Sequence, residues 1–304
     1  MSVINTNVSA LYSQNAMKTN ARAMNTVMEQ LSTGTRVNSA KDDAAGLAIG
    51  QNMTSQVRGL NQAVRNLNDG VNMLQTAEGA MIEQSNMLQR MRELAVQAMN
   101  GTYSDVQRGY LDKEFQALSL QIGKIASDTK WNDQTLLDAS QRQDGSNNGT
   151  FKYQAGMASG QTVIVTINAM NHVGLQLVAT STLGTLSAAV MSGADTISAA
   201  VYKSPAIGTE AVATATLALV GTALEKINSQ RAELGAAINR MAYAADNLTN
   251  ISANTTQSRS NIMDTDYALA TTQLAKAQII QQAATAMLAQ ANQQPQGVMA
   301  LLKG

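Results

Sequence analysis

Residues 60–99 have the sequence LNQAVRNLNDGVNMLQTAEGAMIEQSNMLQRMRELAVQAM. Two apolar stripes recur within this stretch at alternating steps of four and three residues: Leu60, Val64, Leu67, Val71 and Leu74, then Met87, Met91, Leu94 and Ala98. This heptad spacing predicts one long helix that packs its apolar face against other helices. At 1.5 Å per residue the helix would be about 60 Å long, so it needs partner helices of similar length.

The composition of the 304-residue chain suits long helices, because aromatic residues make up only 3% of it and it contains just 2 prolines. Charged residues account for 14% and cancel to a net charge of +0. No basic cluster is present for binding nucleic acid, so a nucleic-acid partner is not expected. Because the chain has no cysteine, disulfides and thiolate zinc sites are excluded.

The N-terminal residues lack the basic and apolar regions of a signal peptide. Nowhere in the chain do about 18 apolar residues follow one another, which is the length that a membrane-spanning helix needs. We therefore expect neither a cleavable signal peptide nor membrane insertion.

Both ends of the chain carry further heptad seams. The N-terminal seam consists of Met17, Ala21, Met24, Met28 and Leu31, and the C-terminal seam of Leu274, Ala277, Ile280, Ala284 and Met287. The first helix is predicted from about Ser9 to Ser32, and Pro295 is expected to limit the last one. Because these seams are sparse, we expect the two helices to pair with each other and to become ordered against copies of themselves.

Two capping boxes predict further helix starts. Ser104 and Gln107 predict a helix that folds back antiparallel on residues 60–99, and Thr222 and Glu225 predict a later helix. Residues 151–167 alternate in the way that is typical of a β-hairpin. The predicted fold class is therefore mainly α, a long antiparallel coiled-coil helical bundle formed by the N- and C-terminal segments, with a small β-hairpin region in the middle.

Residues suited to catalysis are scarce. The single histidine, His172, lies in a predicted loop, and a surface or loop role is the favoured interpretation. Asp42 and Asp43 are explained as a helix start stabilised by the helix dipole. We therefore predict that the chain is not an enzyme and has no catalytic, cofactor-binding or metal site.

Long motifs at both ends of the chain resemble bacterial flagellin, the protein that polymerises into the flagellar filament. They include LSTGTRVNSAKDDAAG at residues 31–46, LQRMRELAVQ at 88–97, SRSNI at 258–262 and AQANQQP at 289–295. The resemblance implies a terminal coiled-coil domain lining the inner tube of the filament, from residues 1–42 and 264–304. It further implies a helical bundle with a β-hairpin from 43–179 and 221–263, and a short variable outer segment at 180–220.

The resemblance also implies a function. Many copies would form a filament for swimming motility, after export by the flagellar type III system, with the export chaperone, cap and junction proteins as partners. The alternatives are a hook-filament junction protein and a secreted adhesin. Some flagellins carry a metallopeptidase in their central insert, but this chain has no His-Glu-x-x-His motif.

Four residues match the family's contact for the animal innate receptor Toll-like receptor five. They are Gln89, Arg90, Leu94 and Glu114. The resemblance therefore implies innate immune recognition at this segment. The competing interpretation is that these side chains pack against the next subunit and that recognition is secondary.

Overall fold

A computed structural model describes residues 7–138, 149–172, 174–177 and 206–302. Its helices are α1 (Val8–Thr33), α2 (Ala44–Ala98), α3 (Asp105–Asp128), α4 (Glu210–Met263) and α5 (Tyr267–Leu302). Its strands are β1 (Lys130–Trp131), β2 (Gln134–Thr135), β3 (Thr150–Gln154) and β4 (Thr162–Thr166). The predicted mainly α fold, with long helices at both termini and a small β region between them, is confirmed.

The described chain divides into two compact units. The first unit holds the residues up to Arg58 and from Ile251 onward, and the second holds Gly59 to Asn250. Both boundaries fall inside long helices, α2 and α4, whereas the boundaries predicted from the resemblance lie at 42/43 and 263/264. Those boundaries concern layers of a filament, and they stay a prediction. Of the predicted outer segment 180–220, residues 180–205 lie outside the described residues.

In the first unit α1 packs antiparallel against α5, which confirms the predicted pairing of the two ends. The Asn7 side-chain amide donates to the Ala291 carbonyl at 2.8 Å, and that of Asn20 donates to the Ala277 carbonyl at 2.8 Å. These two bonds fix the register. The fully packed side chains of the pair are small: Ala10, Val27, Ala270, Ala277 and Ala291. Small side chains remove little apolar area from water, so the seam is thin.

The corner between α1 and α2 is set by a glycine. Gly34 has φ +71°, a left-handed conformation that caps α1, and its N–H donates to the Gln30 carbonyl at 2.9 Å. A Cβ at this position would meet the Tyr267 hydroxyl at 3.1 Å, so the close approach also favours glycine. Asp264–Asp266 separate the two C-terminal helices, since α4 ends at Met263 and α5 begins at Tyr267.

The second unit is built around α2. The Gln84 amide donates to the Ile122 carbonyl at 3.2 Å, and Arg108 Nε donates to the Ala98 carbonyl at 2.8 Å, so α3 runs antiparallel to α2 as predicted. Side chains from α2, α3, α4 and the hairpin share one apolar core, whose largest fully buried members include Phe115, Leu67, Leu74, Met81, Leu88, Met91, Leu94 and Ile122. The α2 stripe predicted from residues 60–99 is thus the centre of this core.

One polar position interrupts the apolar stripe of α4. Arg231 Nη2 lies 3.8 Å from Glu78 Oε1 of α2, and about a third of each side chain is exposed, 34% and 33%. The Glu78 carboxylate thus lies within ion-pair distance of the Arg231 guanidinium.

The capping box of α3 is present as predicted. The Gln107 N–H donates to Ser104 Oγ at 3.4 Å, and the Ser104 N–H donates to Gln107 Oε1 at 3.0 Å. We expect Ser104→Ala to lower the free energy of unfolding of the second unit by about 1 kcal/mol, because two helix-end amides lose their capping arrangement. Urea unfolding followed by circular dichroism measures this change. An unshifted midpoint would contradict the proposed cap.

Two predicted helix ends are wrong. The helix predicted to open at Thr222 begins at Glu210, and the Thr222 hydroxyl bonds to the Ala218 carbonyl at 3.1 Å inside the helix. The preceding turns are held by burial of Ala213 and Val220, which a local capping motif cannot show. Pro295 does not end α5, which continues to Leu302. A proline removes one amide donor, and here the turns on both sides remain helical.

The predicted β-hairpin is confirmed as antiparallel β3 and β4, with Phe151 opposite Val165. Tyr153 lies on Gly70 of α2, where a Cβ would approach the ring to 2.9 Å, and its hydroxyl donates to Met73 Sδ at 3.1 Å. Burial raises the pKa of the Tyr153 phenol well above its ordinary value. A second small hairpin, β1–β2, was not predicted.

Candidate functional site

The structure buries some residues of the two terminal seams and leaves others exposed. In α1, Met17, Ala21, Met24 and Leu31 are partly buried, whereas Met28 is 52% exposed. In α5, Leu274, Ala277 and Ala284 face α1 or lie partly buried, whereas Ile280 and Met287 are 42% and 64% exposed. Within one chain, therefore, Met28, Ile280 and Met287 do not belong to the packed seam. Their role in polymerisation stays a prediction.

The packed face of α5 includes a polar residue that the sequence interpretation passed over. Asn20 of α1 donates to Gln281 Oε1 at 3.2 Å as well as to the Ala277 carbonyl. The partly or fully buried positions of α5 are Ala270, Leu274, Ala277, Gln281, Ala284, Leu288 and Ala291, again at steps of four and three. The sequence could have indicated this register if Gln281, and not its apolar neighbour Ile280, had been placed in the four-three spacing.

Three of the exposed apolar residues of α5 form a second line, which we call the outer stripe: Leu269, Ile280 and Met287. Tyr267 and Ile279 are also exposed but lie off this line. The exposed fractions of the three stripe residues are 58%, 42% and 64%. Spacings of eleven and seven residues bring them to one side of a helix with 3.6 residues per turn. Large apolar side chains aligned on an exposed helix face mark a surface that another protein can cover.

The segment matched to receptor recognition carries an exposed charge network. Arg90 Nη2 lies 2.9 Å from Glu114 Oε1 of α3, and Arg90 Nη1 lies 3.0 Å from Glu93 Oε2. Glu114 first, and Glu93 second, raise the pKa of the Arg90 guanidinium. About half of the Arg90 and Glu114 side chains is exposed, 49% and 46%, and Gln89 is exposed beside them. Three of the four predicted residues thus lie together on one face.

Leu94 differs from the other three. Its side chain is 0% exposed and packs in the apolar core of the second unit. Its predicted receptor contact stays a prediction, but in this fold Leu94 lies buried beneath the face that the other three residues form. The heptad stripe of α2 already contained this information, because Leu94 follows Met87 and Met91 in it.

A groove adjoins the charged face. It lies between α2 and α4 and has a volume of ≈ 940 Å³. Its lining residues include Gln89, Arg92, Glu93, Val96 and Leu224. The groove is wide open and mixes charged with apolar side chains, which suits contact with a protein surface better than enclosure of a small molecule.

The single histidine lies in a turn after β4 and is partly buried. His172 Nε2 lies 2.7 Å from the Ser119 carbonyl of α3, and its ring rests on Gly123, where a Cβ would approach it to 2.2 Å. Because a carbonyl only accepts, Nε2 carries the proton and donates. Burial lowers the pKa of His172, and the bond to Ser119 opposes that effect. The predicted loop location holds, but the ring packs against α3.

We expect the second unit to lose stability as the pH falls from about 7 to 5, because the unfolded chain binds the His172 proton before the folded chain does. The sign follows from the lowered pKa: the stability is present above the ordinary value of 6.5 and declines below it. Urea unfolding over this range measures the slope. His172→Gln should flatten it, and an identical slope in that variant would contradict the assignment.

In the described ranges no helix is long and apolar enough to cross a membrane. Nor do His, Asp and Glu side chains of those ranges gather in groups of three or more that could hold a metal ion.

Comparison with known proteins identifies the family. The model of the bacterial flagellin N-terminal helical region matches residues 4–142, and that of the C-terminal helical region matches residues 217–302. The chain belongs to the bacterial flagellin family. Polar flagellin F of Vibrio parahaemolyticus is 37% identical over 372 positions, which cover 98% of this chain and 99% of the relative. Flagellin B of Vibrio anguillarum is 37% identical over 378 positions, which likewise cover 98% of this chain and 99% of the relative.

Among solved structures, that of a putative flagellar hook-associated protein from Vibrio parahaemolyticus is similar in fold. It has a TM-score of 0.54 and 14% identity, and the match covers 73% of this chain and 100% of that one. At this identity the similarity shows the fold alone. The alignments with the Vibrio flagellins are longer than the 304 residues of this flagellin, so those relatives carry segments that it lacks.

Membership of the family decides the class of protein. Flagellins are structural proteins, so the prediction that the chain is not an enzyme is confirmed. The chain is a structural subunit that polymerises with copies of itself into the extracellular flagellar filament. The outer stripe and the charged face therefore belong to an assembling protein.

Proposed function

We propose that this flagellin polymerises through α1 and α5 into a filament that drives swimming, after export through the flagellar type III apparatus. The observation that carries the proposal is the outer stripe of α5, which keeps large apolar side chains on the surface of a helix already paired with α1. Burial of such side chains against a neighbouring copy stabilises both the contact and the helix that bears it.

The thin seam between α1 and α5 supports the same mechanism. Alanine side chains supply most of its fully packed positions, so the pair alone gains little from burial. Folding of these ends on joining the polymer would offset their ordering entropy by burial between copies. A chain without cysteine has no disulfide to reduce before passage through a narrow export channel.

A second part of the proposal concerns recognition by Toll-like receptor five. Gln89, Arg90 and Glu114 present a compact patch of charged and amide groups on rigid helices. Such groups favour specific protein contact, since Arg forms directional bonds to carboxylates and carbonyls. Leu94 is proposed only to hold α2 in place beneath the patch.

Seeded elongation tests the structural part. Purified protein is added to short filament fragments and followed by electron microscopy, with a truncation lacking residues 273–304 as control. We expect the full chain to extend the seeds and the truncation to leave them unchanged. A full chain that attaches to seed ends without elongating them would favour a junction protein, and one that ignores them would favour an adhesin.

A further inference from the structure

We propose that Asn100 deamidates spontaneously and that Arg108 directs the product towards isoaspartate. Asn100 lies in the loop between α2, which ends at Ala98, and α3, which begins at Asp105. Arg108 lies in the first turn of α3. The inference goes beyond filament formation and receptor recognition, because it concerns a covalent change in the subunit itself.

Asn100 precedes Gly101, and both are exposed. The loop is open around Gly101, because no heavy atom lies within 4 Å of the position that a Cβ would occupy. In the part of the chain that the structure describes, this N–H donates no hydrogen bond. Glycine therefore leaves the nitrogen unhindered and unengaged.

The Asn100 side chain is held close to the following peptide. Its Oδ1 accepts a hydrogen bond from the Thr102 N–H at 3.2 Å, which folds the carboxamide over the Asn100–Gly101 bond. The same bond draws electron density from the carboxamide carbon, Cγ. Cγ is thus activated for attack, and the bonds Cγ–Cβ–Cα–C–N keep it within reach of the Gly101 nitrogen for closure of a five-membered ring.

The reaction has two steps. The Gly101 nitrogen attacks Asn100 Cγ, the Cγ–Nδ2 bond breaks, and Nδ2 leaves as ammonia with the proton that the Gly101 nitrogen loses. The product is a five-membered cyclic imide. Water then adds to one of its two carbonyl carbons and the bond from that carbon to the Gly101 nitrogen breaks. Addition at Cγ yields aspartate, whereas addition at the Asn100 backbone carbonyl yields isoaspartate.

Arg108 distinguishes the two carbonyl groups. Its guanidinium group is held nearly out of solvent, since the residue is 8% exposed, and Nη2 donates to the Asn100 backbone carbonyl at 3.2 Å. A charged donor at that oxygen makes its carbon the better target for water. In isoaspartate the same carbon becomes the free carboxylate, so Arg108 also gains an ion pair with the product.

The position of Arg108 is fixed by two further bonds. Nε donates to the Ala98 carbonyl at 2.8 Å, and Nη1 lies 3.1 Å from Asp105 Oδ1. The guanidinium thus caps the C-terminal end of α2 and also contacts the loop. The reaction needs only water, so it can proceed in an extracellular filament without an enzyme. It lengthens the loop backbone and adds one negative charge to each converted subunit.

Peptide mapping of the purified protein tests the proposal. The folded flagellin, the same protein in urea and a synthetic peptide of residues 97–104 are incubated in neutral buffer. Electron-transfer fragmentation then separates aspartate from isoaspartate. We expect Asn100 to convert in the folded protein, with a larger isoaspartate share than in urea or in the peptide. Gly101→Ala should slow the conversion several-fold, and the open space at Gly101 accommodates the methyl group.

Two results would overturn the inference. An Asn100 that stays intact in the folded protein while the peptide converts would remove the site. Equal isoaspartate shares in folded and urea-treated protein would remove the role of Arg108. Arg108→Met should lower the share to that of the urea sample, with circular dichroism as the check on folding. If that variant does not fold, the comparison of folded with urea-treated wild type still decides.

Discussion

Leu94→Ala should destabilise the second unit by about 2–5 kcal/mol, because it leaves a cavity at a fully buried position of the core. The measurement is urea unfolding of the monomer, followed by circular dichroism. Val96→Ala is the matched control, since Val96 lies on the same helix and is 54% exposed. We expect that control to shift the free energy of unfolding by no more than about 0.5 kcal/mol. Equal effects of the two substitutions would contradict the buried role of Leu94.

A second pair of variants separates recognition from packing. Arg90→Ala removes the guanidinium that pairs with Glu114 on the surface, so it should lower signalling in cells that express Toll-like receptor five and leave the unfolding curve almost unchanged. Arg65→Ala is the control, because Arg65 is another exposed arginine of α2, bonded to Gln62. Full signalling by Arg90→Ala would remove Arg90 from the proposed contact.

The core of the second unit could be predicted because the heptad stripe of α2 uses large aliphatic residues. Leu67 and Leu74 lie seven residues apart in the first stripe, Leu94 lies seven residues after Met87 in the second, and all three leucines are fully buried. The receptor motif, by contrast, mixes residues of that stripe with surface ones. A family motif records which residues recur together and does not say which of them face solvent. The periodicity supplies that information for Leu94.

Three features depended on partners that the local sequence does not reveal. The register of α5 is ambiguous on its own, because Ile280 and Gln281 both fit a four-three spacing; Asn20 of α1 decides in favour of Gln281. Burial of Arg108 requires the open carbonyls at the end of α2, which only the folded loop brings within reach. The early start of α4 accompanies packing of Ala213 and Val220 in the core, which the local sequence does not reveal.

Substitution of both Ile280 and Met287 by Gln should raise the critical concentration for seeded elongation by about thirty-fold to several-hundred-fold. These side chains are already partly covered, so burial of the remainder against a neighbouring copy is worth about 1–2 kcal/mol for each. Each 1.4 kcal/mol corresponds to about a factor of ten in an equilibrium constant. Elongation rates at a series of monomer concentrations, measured by light scattering on filament seeds, give the critical concentration.

The matched control for the outer stripe is a pair of exposed polar positions on the same helix, Gln282→Ser with Thr285→Ser. These changes alter the surface of α5 but remove no large apolar group, so elongation should proceed as in the wild type. Ile280→Gln with Met287→Gln should also leave the helical content of the monomer unchanged, because neither side chain belongs to the packed face against α1. Normal elongation by that double variant would mean that neighbouring subunits cover another face of the helix. The candidates would then be Ile279 of α5 and the exposed apolar side chains of α1, which are Val8, Leu11, Tyr12 and Met28.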